Sequence, residues 1–332
     1  MPKNFEGHYE LDCLYLGVDI GGTKILIVIG NRSGKVYGEK QIPTPVKASP
    51  DQVVSLIIDA AFEILSSANL IISNVQAIGI GVAGAIDHSN GKVIRSPHLP
   101  EWANVNLKEL IENQLQIPTI VDNDANAAAL AEFRLSNYNV SPSLLFITIS
   151  TGIGVGLIIH GNVYRGRLGF AGEAGHMPIS WFKSKNEAVW PCTLESLASG
   201  TGLVSQMKRK MSRESLPSGL DNGELDTSIL NTEDLFTLSS KGNQVARSVI
   251  KDGIRALGLG LTSLVNILDP GVLVIGGGLT NQWEGYIQPA LTIMRQRAFA
   301  EIGKELLVTT PQLSPRSGAI GGILLASEVS IA

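Results

Sequence analysis

Two stretches of this chain follow one plan: an aliphatic run, a glycine-rich turn and a second aliphatic run. The first is Leu14-Tyr15-Leu16-Gly17-Val18, then Asp19-Ile20-Gly21-Gly22-Thr23-Lys24, then Ile25-Leu26-Ile27-Val28-Ile29. The second is Leu144-Leu145-Phe146-Ile147-Thr148-Ile149, then Ser150-Thr151-Gly152-Ile153-Gly154-Val155-Gly156, then Leu157-Ile158-Ile159. A strand, a tight glycine turn and a strand make a β-hairpin. A P-loop would instead run from strand into helix with a Gly-Lys-Ser/Thr ending, which the first turn lacks. Glycines let backbone N–H groups approach a phosphate, and Thr23 and Lys24 add a hydroxyl and a charge. Asp19, at the strand end, suits Mg²⁺ held through water, because Mg²⁺ prefers few carboxylates and several waters. Alone, either turn is an ordinary structural element. One in each half predicts a duplicated α/β architecture that grips a polyphosphate from both sides.

Between the hairpins, Pro118-Thr119-Ile120-Val121 reads as a short buried strand, and Ala127-Ala128-Ala129-Leu130-Ala131-Glu132-Phe133 as a closely packing helix. Asp122, Asn123 and Asp124 lie at the switch, where α/β proteins place ligands and catalytic groups. Two roles fit Asp124. It caps the helix, which Asp does well, or it accepts the proton of a substrate hydroxyl as that oxygen attacks.

Ser49-Pro50-Asp51-Gln52 reads as a capping box, followed by apolar residues at helical spacing through Leu65. Residues 75–82 read as a buried strand ending in Ala83-Gly84-Ala85-Ile86-Asp87, and a loop Ser96-Pro97-His98-Leu99-Pro100-Glu101-Trp102 follows. A helix is expected around 107–114. The polar break at 136–142 marks a domain boundary, dividing the chain into an N-terminal lobe, 1–138, joined by a closing helix, 318–332, and a C-terminal lobe, 139–317. In the second lobe, Gly172-Glu173-Ala174-Gly175-His176-Met177 precedes an irregular stretch, 180–191. Thr193-Leu194-Glu195 then opens a helix, and 206–242 reads as polar surface helices and loops. A helix is expected over 251–268, stopped by Pro270. The strand Val272-Leu273-Val274-Ile275 runs into Gly276-Gly277-Gly278, again a site of close backbone approach, suited to a flat base and ribose.

The chain is an ordinary globular one of 332 residues, with 44% apolar and 17% charged residues and a net charge of −4. That balance gives no reason to expect nucleic acid or an anionic membrane as partner. Cys13 and Cys192 are its two cysteines, too few for a disulfide framework. No apolar leader or membrane span is read. A cytoplasmic protein is expected.

With these residues in place, the chain resembles the ROK family (repressor, open reading frame, kinase) of the sugar kinase, heat-shock protein and actin superfamily, from about Leu14 almost to the C-terminus. The resemblance implies a two-lobed, actin-like and hexokinase-like ATPase fold, with duplicated ribonuclease H-like domains around an interlobe cleft. Asp19–Lys24 resembles the first phosphate motif, with Gly21, Gly22, Thr23 and Lys24 on the nucleotide and Asp19 on Mg²⁺. The stretch 150–156 resembles the second, with Thr151, Gly152 and Gly154, and Gly276, Gly277 and Gly278 the adenosine motif. Asn123-Asp124-Ala125-Asn126 resembles the catalytic segment, with Asp124 as base. Asn123, Glu173, His176, Glu195 and Gly84 stand as sugar-binding residues. The implied reaction is ATP-dependent phosphorylation of a hexose hydroxyl, foremost the 6-hydroxyl of glucose, by a homodimer.

Three departures are visible. The family's zinc cysteines are missing apart from Cys192, and two candidate ligands do not close a tetrahedral site, so no zinc is expected. His98 stands where the family usually has asparagine, which bears on hydroxyl preference. Ser150 replaces a common glycine. Other hexoses or N-acetylhexosamines (mannose, fructose, N-acetylmannosamine), a polyphosphate donor, or a sugar-binding regulator are the competing readings. The family's repressors carry a DNA-binding domain of roughly 60–80 residues, a small-domain size, before the first phosphate motif. Only 18 residues precede Asp19 in this sequence, so the expectation is a kinase.

Overall fold

A computed structural model describes residues 13–97, 99–138, 142–183, 189–213 and 230–329. They form two compact units: residues up to 138, 156–171 and from 312 onward make the first, and 139–155 with 172–311 the second.

The first unit opens with an antiparallel meander, β1 (Leu14–Ile20), β2 (Lys24–Gly30) and β3 (Val36–Pro43). Helix α1 (Pro50–Ser67) starts at the expected capping box, with Ser49 and Gln52 bonded reciprocally. It buries Val53, Ile57, Ala60, Ala61, Ile64 and Leu65. Strand β4 (Val75–Val82) pairs in parallel with β1. A small antiparallel sheet follows, β5 (Ala85–Asp87), β6 (Lys92–Arg95) and β7 (Val105–Asn106). Between β6 and β7, Trp102 is fully buried in the aliphatic core. Then come α2 (Leu107–Leu115), β8 (Thr119–Asn123) and α3 (Asp124–Leu135).

The main sheet has the order β3-β2-β1-β4-β8. In its register Asp19 lies opposite Gly81, and Gly81 opposite Asp122. The C-terminal ends of three adjacent parallel strands therefore finish at one level, where open α/β sheets bind ligands.

The second sheet runs β11-β10-β9-β14-β15. Its strands are β9 (Leu144–Ile149), β10 (Ile153–Ile159), within which the division into units falls, and β11 (Asn162–Val163). The described residues of the stretch 180–191 are not irregular: β12 (Pro178–Lys183) and β13 (Val189–Thr193) pair antiparallel. Prolines at 178 and 191 had interrupted the alternating pattern that marks strands. Thr193 caps α4 (Leu194–Ala198), and α5 (Gly200–Arg213) and α6 (Thr232–Ser240) follow. Leu235 of α6 is fully buried, so this region is more than surface. Helix α7 (Gln244–Leu268) begins earlier than its apolar periodicity suggests, because Asn243 caps it, accepting from the Ala246 N–H. The rest is β14 (Val272–Gly276), α8 (Gln288–Arg297), α9 (Ala300–Glu305) and β15 (Leu307–Thr309).

Helix α10 (Ser317–Val329) returns to the first unit. A Cβ on Gly17 or Gly79 would overlap the backbone of α10, and one on Gly321 would overlap the Ala127 carbonyl of α3. Backbones thus touch where side chains are missing, and buried Ala319, Ile323 and Ala326 fill the face beside them. No described helix is long and apolar enough to cross a membrane.

Candidate functional site

In the first unit, Asp19, the Gly21-Gly22-Thr23 turn and the Asn123–Asp124 switch cap the ends of β1 and β8. Asp19 belongs to the strand itself, opposite Leu26 of β2. The turn is closed by the Gly21 N–H donating to the Lys24 carbonyl at 3.0 Å. Thr44, which the sequence reading passed over, holds it from behind. Its hydroxyl donates to the Gly21 carbonyl at 2.8 Å and its N–H to the Thr23 carbonyl at 3.0 Å. Gly21 and Gly22 are half-buried, while Thr23 and Lys24 are exposed. That leaves a rigid loop with a hydroxyl and an ammonium at its tip.

Of the two roles open for Asp124, the N-cap position itself belongs to its neighbour. Asn123 is the N-cap of α3: its Oδ1 accepts from the N–H groups of Ala125 (2.9 Å) and Asn126 (3.3 Å). Asp124 is the first helical residue, with Oδ1 also 2.9 Å from the Ala125 N–H. The amide of Asn123 donates to the Gly84 carbonyl at 3.1 Å, leaving one amide N–H for a ligand. Gly84 has φ +150°, and a Cβ there would overlap the Arg95 carbonyl, so a close approach requires glycine. Asp19, Gly84, Asn123 and Asp124 are therefore gathered in one place.

The electrostatics agree. The Asp19 side chain is only partly covered, yet protein crowds its carboxyl. Burial first, then the charge of Asp124, push its pKa from 3.8 to about 7, and Lys24 offsets only part of this. Two carboxylates close enough to repel, with Lys24 offsetting only part of the effect on Asp19, form a donor set that suits a divalent cation.

In the second unit, the turn after β9 is tied to the start of α5. The Gly200 N–H donates to the Ser150 carbonyl at 2.8 Å, and the Thr201 hydroxyl to the Thr151 carbonyl at 2.6 Å. Gly154 lies in β10 rather than in the turn. Glu195 Oε2 accepts from the Ile153 N–H at 2.8 Å. A Cβ on Gly152 would come within 2.6 Å of that oxygen, so Gly152 makes room for the carboxylate. Glu173 and His176 flank a single 3₁₀ turn, with His176 Nε2 3.6 Å from Glu173 Oε2, and both are exposed. Gly175 between them packs against Glu195. Glu173, His176 and Glu195 thus border one another.

A cavity of about 590 Å³ opens beside the same turn. Ser150, Thr151 and Gly278 line one side, and Thr232, Phe236 and Ser240 of α6 the other. Gly276 ends β14; Gly277, at φ +93°, runs so close to Ile149 that a Cβ would overlap its backbone. Phe236 is fixed edge-on to Tyr286, centroids 5.8 Å apart, and the Tyr286 hydroxyl donates to the Ala198 carbonyl at 2.7 Å. The cavity therefore has one preset aromatic wall, which the sequence reading missed.

Among the described residues, no three His, Cys, Asp or Glu side chains converge as a metal centre. Cys13 and Cys192 are free thiols. His98 lies outside the described residues.

The sequence pattern of the ROK family matches residues 15–329. The chain is 28% identical to a "Putative xylose repressor" of Caldicellulosiruptor sp., over 94% of this chain and 77% of that protein. It is 30% identical to a "Glucokinase" of Halalkalibacterium halodurans, over 96% of both. The fold is similar to the crystal structure of a ROK hexokinase from Thermus thermophilus, with TM-score 0.78 and 29% identity, covering 96% of this chain and 100% of that one. It is also similar to a ROK family glucokinase from Streptomyces griseus in complex with glucose and AMPPNP, with TM-score 0.74 and 28% identity, covering 95% and 99%.

Proposed function

This chain belongs to the ROK family, and from that membership we propose that it is a sugar kinase with the family's actin-like ATPase fold. It transfers the terminal phosphoryl group of ATP to a hexose hydroxyl, and glucose, at its 6-hydroxyl, is the first choice of substrate. The glucokinase relative and the glucose- and AMPPNP-bound structure support both choices. The observation that carries the reading is the meeting of Asp19 with Asp124, which brings the end of the first phosphate hairpin to the proposed base.

Phosphoryl transfer asks a protein mainly for positioning and charge stabilisation. Asp124 accepts the hydroxyl proton as the sugar oxygen attacks. Asn123 offers its remaining amide N–H, and Glu173, Glu195 and His176 direct hydroxyls, as suits a neutral polyol. Glu195 has one oxygen engaged by Ile153, so the other serves the sugar. Backbone N–H groups of the two glycine turns and Lys24 hold phosphate oxygens, and the cavity beside Gly278 takes the base and ribose. Mg²⁺ fits at Asp19, through water, where it would screen phosphate charge.

The test is an ADP-release assay with Mg-ATP over a panel of hexoses and N-acetylhexosamines. Turnover is expected on one hexose, glucose first. Asp124→Asn is expected to lose turnover by about 10²–10⁴-fold, the scale of general-base catalysis, with sugar binding retained and the Asn123 cap intact. An Asn variant within a few-fold of wild type would remove Asp124 from the base role. Turnover only with polyphosphate would correct the donor, and sugar binding without turnover would move the protein to the regulators.

A further inference from the structure

Asp122, one residue before the Asn123 cap, is nearly inaccessible at 2% exposure and has both carboxylate oxygens engaged. Its Oδ1 accepts from the Asn123 N–H at 2.7 Å and the Asn126 amide at 2.9 Å. Its Oδ2 accepts from Arg165 Nε at 2.7 Å. His88 Nδ1 lies 3.6 Å from the same oxygen but 3.0 Å from the Val121 carbonyl, its nearer partner. Arg165 is therefore the strong charge partner of a carboxylate welded to the strand-to-helix switch.

The loop that brings Arg165 there is itself fixed. The Ala171 N–H donates to the Arg165 carbonyl at 3.0 Å, closing the loop. Gly169, at φ +84°, sits so close to the Ile86 carbonyl of β5 that a Cβ would fall 2.7 Å from it. Residues 156–171 pack with the first unit although they follow β9 in sequence. Neutral amides alone leave a buried carboxylate poorly compensated, and a guanidinium at hydrogen-bond distance supplies the missing charge partner.

We infer that Arg165 is a positioning residue for Asp124, acting through Asp122, an assignment that rests on the kinase reading above. The guanidinium holds the Asp122 carboxylate in place. Asp122 in turn pins the Asn123 N–H and the Asn126 amide, the two residues that bracket Asp124. Arg165 touches neither sugar nor nucleotide in this scheme.

The experiment measures kcat, KM, sugar Kd and melting temperature for wild type, Arg165→Gln, Arg165→Lys, Asp122→Asn and the double variant Asp122→Asn/Arg165→Gln. Wild-type turnover on a hexose tests the kinase reading by itself. Arg165→Gln is expected to lower kcat by about 10–100-fold, the cost of a small misplacement of a catalytic group. Its sugar Kd should move less than about threefold, because Glu173, Glu195 and His176 are untouched and the Asn123 side chain keeps its bond to Gly84. Arg165→Lys keeps the charge without the guanidinium geometry and should recover part of kcat. In the Asp122→Asn background, Arg165→Gln should change kcat little, since both act as one unit. Multiplicative losses in the double variant, or a kcat per folded molecule unchanged in Arg165→Gln while melting falls, would overturn the assignment. If Arg165→Gln does not fold, Arg165→Lys against Asp122→Asn carries the comparison: kcat equal to wild type in both overturns it.

Discussion

Asp19 holds its proton to about pH 7 in the folded protein, against 3.8 ordinarily, because burial and then Asp124 disfavour its charge. Between those values the native state binds the extra proton and the unfolded state does not. The stability this group contributes is therefore whole below about pH 4 and lost as pH rises through about 7. Asp19→Asn removes the dependence. The variant should gain melting temperature over wild type as pH is raised from about 5 to about 8, without Mg²⁺. Added Mg²⁺ at the upper pH should narrow the gap, because a divalent cation offsets the carboxylate charge it meets. A melting difference flat across pH would mean that Asp19 titrates normally. The same carboxyl that a cation would use is thus a liability in its absence.

Helix α3 is held at both ends by polar clusters of different kinds. At its N-terminus Asn123 caps and Asp122 anchors; near its C-terminus Glu132 is completely buried. Glu132 accepts from the hydroxyls of Ser136 (2.8 Å), Tyr138 (2.9 Å) and Ser317 (2.7 Å), and from the backbone N–H groups of Gln312 and Leu313 (both 2.9 Å). Five donors on one carboxylate explain how it stays inside. Burial, and next the charge of Glu132, also hold the Tyr138 phenol above its ordinary pKa. Glu132→Gln replaces an acceptor by a donor among donors and should cost about 2–4 kcal/mol of unfolding free energy, measurable by urea titration. A loss below half a kcal/mol would show the cluster to be dispensable. Much at this scale was legible from sequence. The hairpins, the capping box at Ser49 and the strand at Val75–Val82 announce themselves through local periodicity and caps. Helix α6 does not, since its nine residues hold few apolar positions and its role as a cavity wall depends on the distant Tyr286. The Asp122–Arg165 pair spans 43 positions, and no local pattern joins them. Local rules find elements and their ends; only folding shows which polar side chains share a cluster.

For the whole molecule, a substrate that binds the folded state alone stabilises it by mass action. The preferred hexose at about a hundred times its Kd should raise unfolding free energy by about 2.7 kcal/mol, and a sugar that is not bound should leave melting unchanged. Ranking sugars by this shift checks the kinetic panel independently, and disagreement between the two rankings would separate binding preference from turnover. The chain also passes between its two units at 138, 155, 171 and 311. Neither unit is one continuous stretch, so neither can be cut out as a simple fragment.

The packing of α10 against Gly17 and Gly79 has a consequence for how the molecule comes into being. β1 and β4 leave a ribosome well before the helix that fits against their glycines, which is contributed by residues 317–329. A nascent chain must carry that bare face of the sheet until α10 has been made. Sensitivity to premature termination anywhere before α10 follows from the order in which the polypeptide is made.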